Sequence, residues 1–278
     1  MPDTPAMPPA AAEIAALRAE IDAIDDAMHD LLMRRSAVVG RLAGSRAKGS
    51  SGSPLRPGRE ASVLRRLLAR HAGPLARSRI VRIWREIFMA STAIQGAFSV
   101  ATFAPGDEAG VAREHFGPLA PMRVHPTPAR ALSAVTQGEA SVAVLPLPAE
   151  GEEGAAAWWA RLDVPRLHVV ARLPFMAGQD GAGALVVAPV PPDPSGADRT
   201  LLLIEAESRA SRARVTGALA EAGFDVASLL LARAGEATLA LAEVEGFLGA
   251  DDARLAALPW ARRTILGAYA APVAGDAA

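Results

Sequence analysis

The stretch from Ala11 to Arg46, AAEIAALRAEIDAIDDAMHDLLMRRSAVVGRLAGSR, decides how the rest of the chain is read. Ile14, Leu17, Ile21, Ile24, Met28, Leu31, Val38 and Leu42 recur at alternating steps of three and four, the pattern of a helix packed along one seam. The seam position between Leu31 and Val38 is occupied by Arg35. A guanidinium on an apolar seam is costly unless an anion meets it there. Arg46, eleven residues on, returns to within about 20° of the same face at about 100° per residue. Such a helix reads as the wall of a site for a carboxylate ligand. If it runs to about Lys48 it has roughly 35 residues and is roughly 50 Å long, at about 1.5 Å per residue. One small domain cannot cover that length, so the expected partner is a second copy of the same helix.

Working outward, residues 1–10 are rich in Pro and Ala and are expected to be disordered. Gly49-Ser50-Ser51-Gly52-Ser53-Pro54 reads as a flexible loop. A second helix is expected to open at Arg56-Pro57-Gly58, with Pro57 suited to the first turn and Gly73-Pro74 as the stop. Its apolar stripe is Val63, Leu64, Leu67 and Leu68. A third helix, about Ala76 to Gln95, is expected to face inward with Ile80, Ile83, Trp84, Ile87 and Phe88. Ser91 and Gln95 continue that stripe, and Glu60 lies one turn before Leu64 in the second helix. Arg35, Arg46, Glu60, Ser91 and Gln95 are thus expected on sides that become buried.

After Gly96 the pattern becomes α/β. Strands are expected at Phe98 to Phe103, Ala140 to Leu147, Leu167 to Leu173 and Gly183 to Val190, with a helix from Arg130 to Gln137. Pro191 to Ala197 reads as a linker. The remainder, Thr200 to Tyr269, spells strand, helix, strand, strand, helix, strand, the ferredoxin-like order. The fold class is therefore multidomain: an all-α three-helix dimer domain over 11–96, a small α/β region over 97–190, a linker over 191–197 and a βαββαβ domain over 198–273.

Composition narrows the function classes. The chain of 278 residues is 51% hydrophobic with a net charge of −1, which offers nothing to nucleic acid. It has no cysteine, which removes disulfides and thiolate metal sites. The five histidines (His29, His71, His115, His125, His168) are scattered without metal-ligand spacing, so no metal is expected. No apolar run is long enough to span a membrane. The opening MPDTPAMPPAAAE lacks the basic and apolar parts of a signal peptide, so a cytoplasmic protein is expected. Trp158-Trp159 is expected to serve packing rather than stacking.

Leu17-Arg18 with Ile21 and Asp25, the pair Arg34-Arg35, the run Arg56-Pro57-Gly58-Arg59-Glu60, and Ser91 followed by Gln95 resemble, in order and spacing, the all-helical chorismate mutases fused to prephenate dehydratase in many bacteria. The resemblance covers about residues 11–96. It implies that Arg35 binds one carboxylate of chorismate and that Arg18 binds the other from the partner subunit of a homodimer. It implies that Glu60 accepts the ring hydroxyl, that Ser91 bonds a carboxylate and that Gln95 donates to the ether oxygen. Arg59 follows the family pattern near the hydroxyl-binding turn. The family's lysine is replaced by Arg46, with Lys48 two residues on, and either cation can be the one that reaches the ether oxygen. Where the family often has an aspartate three residues before Arg59, this chain has Arg56.

The chemistry suits these residue types. The conversion of chorismate to prephenate is an intramolecular pericyclic step that needs no cofactor, nucleophile or proton transfer. It needs the reactive conformer held and negative charge stabilised on the ether oxygen. Arg18 lies 17 residues before Arg35, about 100° away around a straight helix, so one helix cannot easily supply both to one small ligand.

Ala131 to Pro146 resembles the first half of prephenate dehydratase. The polar turn that should follow reads Pro146-Leu147-Pro148-Ala149-Glu150, and the place of a Thr-Arg-Phe motif reads Ala171-Arg172-Leu173-Pro174-Phe175. Residues 198–272 resemble an ACT regulatory domain without its usual effector motifs; Ser208-Arg209-Ala210-Ser211-Arg212 stands near the place of the first. Together these imply a chorismate mutase with inert or regulatory C-terminal parts. The alternatives are a bifunctional mutase–dehydratase, or a non-catalytic sensor with a helical dimerisation domain. An aromatic amino acid is the effector an ACT-like part would take.

Overall fold

The computed structural model describes residues 9–44, 54–152, 157–177, 183–207, 210–235 and 237–275. It divides into two compact units, residues 1–50 and 51–278. The described residues of the first form one helix, α1 (Pro9–Gly44). It opens at Pro9, inside the stretch expected to be disordered. Proline suits this place because its fixed φ matches the helix and its missing N–H would have been unpaired there anyway. The expected seam lies open. Ile21 is 56% exposed, Leu31 64% and Val38 49%.

The second unit begins with α2 (Pro57–Arg70) and α3 (Arg77–Gln95). Then come β1 (Val100–Thr102), α4 (Glu108–Phe116), β2 (Met122–Val124), α5 (Pro128–Thr136) and β3 (Val142–Pro146). A 3-10 turn holds Trp158–Arg161. β4 (His168–Leu173), β5 (Met176–Ala177) and β6 (Ala184–Ala188) follow. The last part is β7 (Asp198–Ala206), α6 (Arg212–Glu221), β8 (Val226–Ala234), β9 (Ala237–Glu245), α7 (Arg254–Ala257), β10 (Arg262–Ala270) and β11 (Val273–Ala274).

The strands expected as two modules join in one nine-stranded sheet, in the order β2-β1-β3-β6-β4-β10-β7-β9-β8. β2, β1 and β3 run parallel, as short β-α-β crossovers require. The last four strands in that order are mutually antiparallel, the ferredoxin-like arrangement read from the sequence. The join is a single parallel pairing, Gly267 opposite Val169. Gly267 has φ +146, and a Cβ there would lie 2.0 Å from the Val169 carbonyl oxygen. Only glycine permits that approach.

Both faces of the sheet are covered. One core holds Trp158, Trp159, Leu145, Leu167 and Leu241. The two indoles are buried, and each N–H finds an acceptor: Trp158 Nε1 donates to Pro146 O at 3.1 Å and Trp159 Nε1 to Glu152 Oε2 at 3.0 Å. On another side, α6 and α7 pack through Val215, Leu219, Leu258 and Trp260 against Leu202 and Ile204.

α2 and α3 share a core with the sheet's connecting loop: Ala61, Leu64, Leu68, Val81 and Phe88 pack with Phe175 and Met176. This changes the inward face of α3. The buried residues are Val81, Arg85, Phe88, Ser91 and Thr92, while Ile83 is 43% exposed and Ile94 46%. The helix is apolar on two faces, and the α/β body takes one of them. The stretch 191–197, expected only to connect, does more. Asp193 accepts from the backbone N–H of Gly58 at 3.0 Å and of Arg59 at 3.1 Å, capping α2 where its own N-cap residue gives no side-chain bond. A Cβ on Gly58 would meet the Asp193 carbonyl oxygen at 2.0 Å, so the proximity itself requires glycine. Arg65 of α2 donates to Ser195 O and Oγ, Ala197 O and Ala271 O, tying the helix to the same strap.

Several elements escape a reading by periodicity. α4 is nine residues long and β2 three, too short for a repeat to be visible.

Candidate active site

On α1, Arg18 and Arg34 are exposed and Arg35 is half-buried. Burial lowers the pKa of the Arg35 guanidinium. Seventeen residues of helix place Arg18 roughly 25 Å along the axis from Arg35. Arg46 and Lys48 lie outside the described residues.

In the second unit, Glu60 of α2 pairs with Arg85 of α3. Arg85 Nη1 donates to Glu60 Oε2 at 2.8 Å, with side-chain exposures of only 6% and 12%. Burial pushes Glu60 up; Arg85 opposes this, and the net shift remains upward, with Asp193 adding to it. Burial pushes Arg85 down, against the charge and hydrogen bond of Glu60. The Arg85 guanidinium also lies 5.4 Å from the centre of the Phe175 ring. Arg85, but not Glu60, lines a cavity of about 240 Å³ together with Arg79, Arg82, Val111, His115 and Phe175. His115 is buried there edge-on to Phe116, and burial followed by the charge of Arg85 lowers its pKa well below the ordinary value.

Farther along α3, the Ser91 hydroxyl donates to Ile87 O at 2.6 Å, and the Gln95 amide donates to Ser91 O at 3.1 Å. Both side chains rest on backbone carbonyls of their own helix. Those carbonyls already have helical partners, so releasing them costs little. Arg59 is exposed, and its backbone N–H is engaged by Asp193.

Among the expected site residues described in this unit, the structure brings Ser91 to Gln95 and gives Glu60 a partner, Arg85, that sequence reasoning missed. The signal was present. Val81, Arg85 and Phe88 fall at steps of four and three, so Arg85 breaks an apolar stripe as Arg35 breaks the seam of α1. Among the described residues no group of three or more His, Asp or Glu side chains could hold a metal, and no helix is long and apolar enough to cross a membrane.

Residues 17–96 match the family model of chorismate mutase type II. This segment belongs to that family. The bifunctional chorismate mutase/prephenate dehydratase of Stutzerimonas stutzeri is 31% identical over 111 residues, which is 38% of this chain and 30% of the relative. The bifunctional enzyme of Pseudomonas aeruginosa is 30% identical over the same shares. The chain therefore spans less than a third of the length of these curated relatives. Among solved structures, the quorum-quenching acylase GqqA is 21% identical with a TM-score of 0.49, over 63% of this chain and 95% of that one. A prephenate dehydratase from Arthrobacter aurescens in complex with L-Phe is 15% identical with a TM-score of 0.45, over 62% and 89%. At these scores the likenesses assign nothing further. Within the mutase domain, the residues quoted above for the resemblance, Leu17 to Gln95, all fall inside the matched segment.

Proposed function

We propose that this chain is a chorismate mutase, acting as a homodimer in the cytoplasm and converting chorismate to prephenate. The observation that carries the reading is Arg35, a half-buried cation at a seam position of a helix within the segment that matches the chorismate mutase model. The seam's exposure supports pairing with a second copy, which would supply Arg18 to a site holding Arg35. In that site Arg35 and Arg18 bind the two carboxylates, Arg46 or Lys48 and Gln95 stabilise charge on the ether oxygen, and Ser91 bonds a carboxylate. Glu60, held by Arg85, receives the ring hydroxyl, with Arg59 beside that turn. No proton moves in this chemistry, so the raised pKa of Glu60 matters for its hydrogen bonding rather than for transfer.

The modules we propose, 11–96, 97–190 and 198–273, with 191–197 between the last two, are units of sequence. They cross the compact units, since α2 and α3 share their core with the sheet. Prephenate is not dehydrated further, because Ala171 stands where the resemblance calls for threonine and the turn at 146–150 carries Pro and Leu. An aromatic amino acid is the effector class for the ACT-like part. The test is chorismate consumption by purified chain with products resolved. Prephenate alone is expected; phenylpyruvate above the uncatalysed rate would establish the bifunctional reading, and no consumption would leave the sensor reading.

A further inference from the structure

A second cavity, of about 320 Å³, lies within the second unit, over the sheet where β4 meets the ferredoxin-like strands. Its walls are Leu147, Leu185, Leu201, Leu230 and Leu241. Its polar end is a cluster on five strands. Glu243 of β9, 7% exposed, accepts from Arg199 Nη1 at 2.7 Å, Arg172 Nη1 at 3.5 Å and the Ser228 hydroxyl at 3.1 Å. The buried Tyr269 hydroxyl lies within reach of both Glu243 and Arg172. Arg199 makes a second ion pair, its Nε lying 2.9 Å from Glu245 Oε1 but not aligned as a hydrogen bond. Burial pushes Glu243 up, but the hydrogen bonds of Tyr269 and Arg199 and the charges of Arg172 and Arg199 outweigh it and hold it ionised.

This arrangement selects a ligand class. A carboxylate offers about four lone-pair sites, and four donors already meet Glu243, so it is not free to receive a ligand ammonium. A guanidinium has five N–H groups, and the contacts of Arg172 engage a minority of them. Arg199 is committed to two carboxylates, whereas Arg172 has only the long contact to Glu243 and one phenol. The lining itself carries two cations against one anion. Arg172 is therefore the anchor, the wall beyond it is aliphatic, and the volume sits at the lower end of small-molecule pockets. We propose that this cavity binds a small monocarboxylic acid with an apolar body, its carboxylate on Arg172 and its body against the leucines. The site is distinct from the mutase residues and independent of that reading.

The test is calorimetric titration of the full chain with 3-phenylpropionate and octanoate, and with 3-phenylpropan-1-ol, which lacks the charge. At least one acid is expected to bind with a Kd below about 1 mM, and the alcohol at least about tenfold more weakly. R172Q should weaken the acid about 10- to 100-fold, R172K less, and R262Q, at an exposed ion pair elsewhere, not at all. Leu147→Trp, which fills the cavity from a half-buried position, should abolish binding without changing the thermal midpoint. The proposal is overturned if neither acid binds by about 10 mM, if acid and alcohol bind alike, or if R172Q binds like the native chain.

Discussion

Two stretches of this chain are strongly apolar and end in opposite places. In β6, Ala184 to Ala188, every residue is at most 2% exposed, because partners lie on both edges and both faces within the same chain. Along α1 the seam residues stand about half exposed, from Val38 at 49% to Leu31 at 64%. The difference is one of length. A five-residue strand is covered by its neighbours, whereas a 36-residue helix reaches roughly 54 Å, beyond what a body of this size can wrap. Apolar periodicity thus specifies an interface, and the length of the element specifies whether that interface is internal.

The largest expected effect breaks this contrast directly. Leu31→Glu should replace a seam contact by a charge in both copies of a dimer, costing about 3–6 kcal/mol from two lost leucine burials. Sedimentation should show the dimer constant weakened at least about 100-fold, with the thermal unfolding of the 51–278 unit unchanged. A dimer as tight as the native one would remove α1 as the interface.

Arg85→Ala is expected to do the reverse, leaving the oligomer intact and damaging the body. Glu60 would remain buried and unpaired, at a cost of about 3–5 kcal/mol in denaturant unfolding. Arg85→Met combined with Glu60→Leu should recover most of that stability, because the pair's burial penalty disappears with it.

Arg35→Ala should cost about 2–5 kcal/mol of transition-state stabilisation, a fall in kcat/KM of about 30- to 5,000-fold, with the helix intact. Arg34→Ala, turned to the exposed side, is the matched control and should change turnover little. Equal effects at both positions in a folded dimer would dismiss the seam argument.

The smallest effect is pH-dependent. His115 has its pKa depressed by burial and Arg85, so the folded state resists the proton that the unfolded state accepts near pH 6.5. Its contribution is full above about pH 6.5 and declines as pH falls toward the depressed value. His115→Gln should flatten part of the fall in thermal midpoint between about pH 7 and pH 5; an unchanged slope would show that other groups carry it.

Much of this was legible. The long helix, the proline start of α2 and the βαββαβ order follow from periodicity and punctuation, which are local properties. What escaped depends on contacts between distant residues. Asp193 reads as part of a Pro-rich connector, and nothing near it in sequence says that it caps α2. The join of β4 to β10 has no local signature beyond a glycine. At the site, Arg35 was legible because it breaks a repeat. Arg85 breaks one as plainly, but the apolar residues on the other face of α3 assigned the inward side first. Where a helix is apolar on two faces, hydrophobicity alone cannot rank them.

The single pairing of Gly267 with Val169 also bears on how this chain can be divided. A fragment beginning at the strap before β7 would contain every strand of the ferredoxin-like layer, yet it would uncover one side of β10. That side presents unpaired N–H and C=O groups along Arg262 to Ala270, the template on which strands of separate molecules add to one another. The complementary fragment would uncover β4 in the same way. Each half would thus lose the strand that now lies beside its margin and expose an edge on which strands of other copies can add.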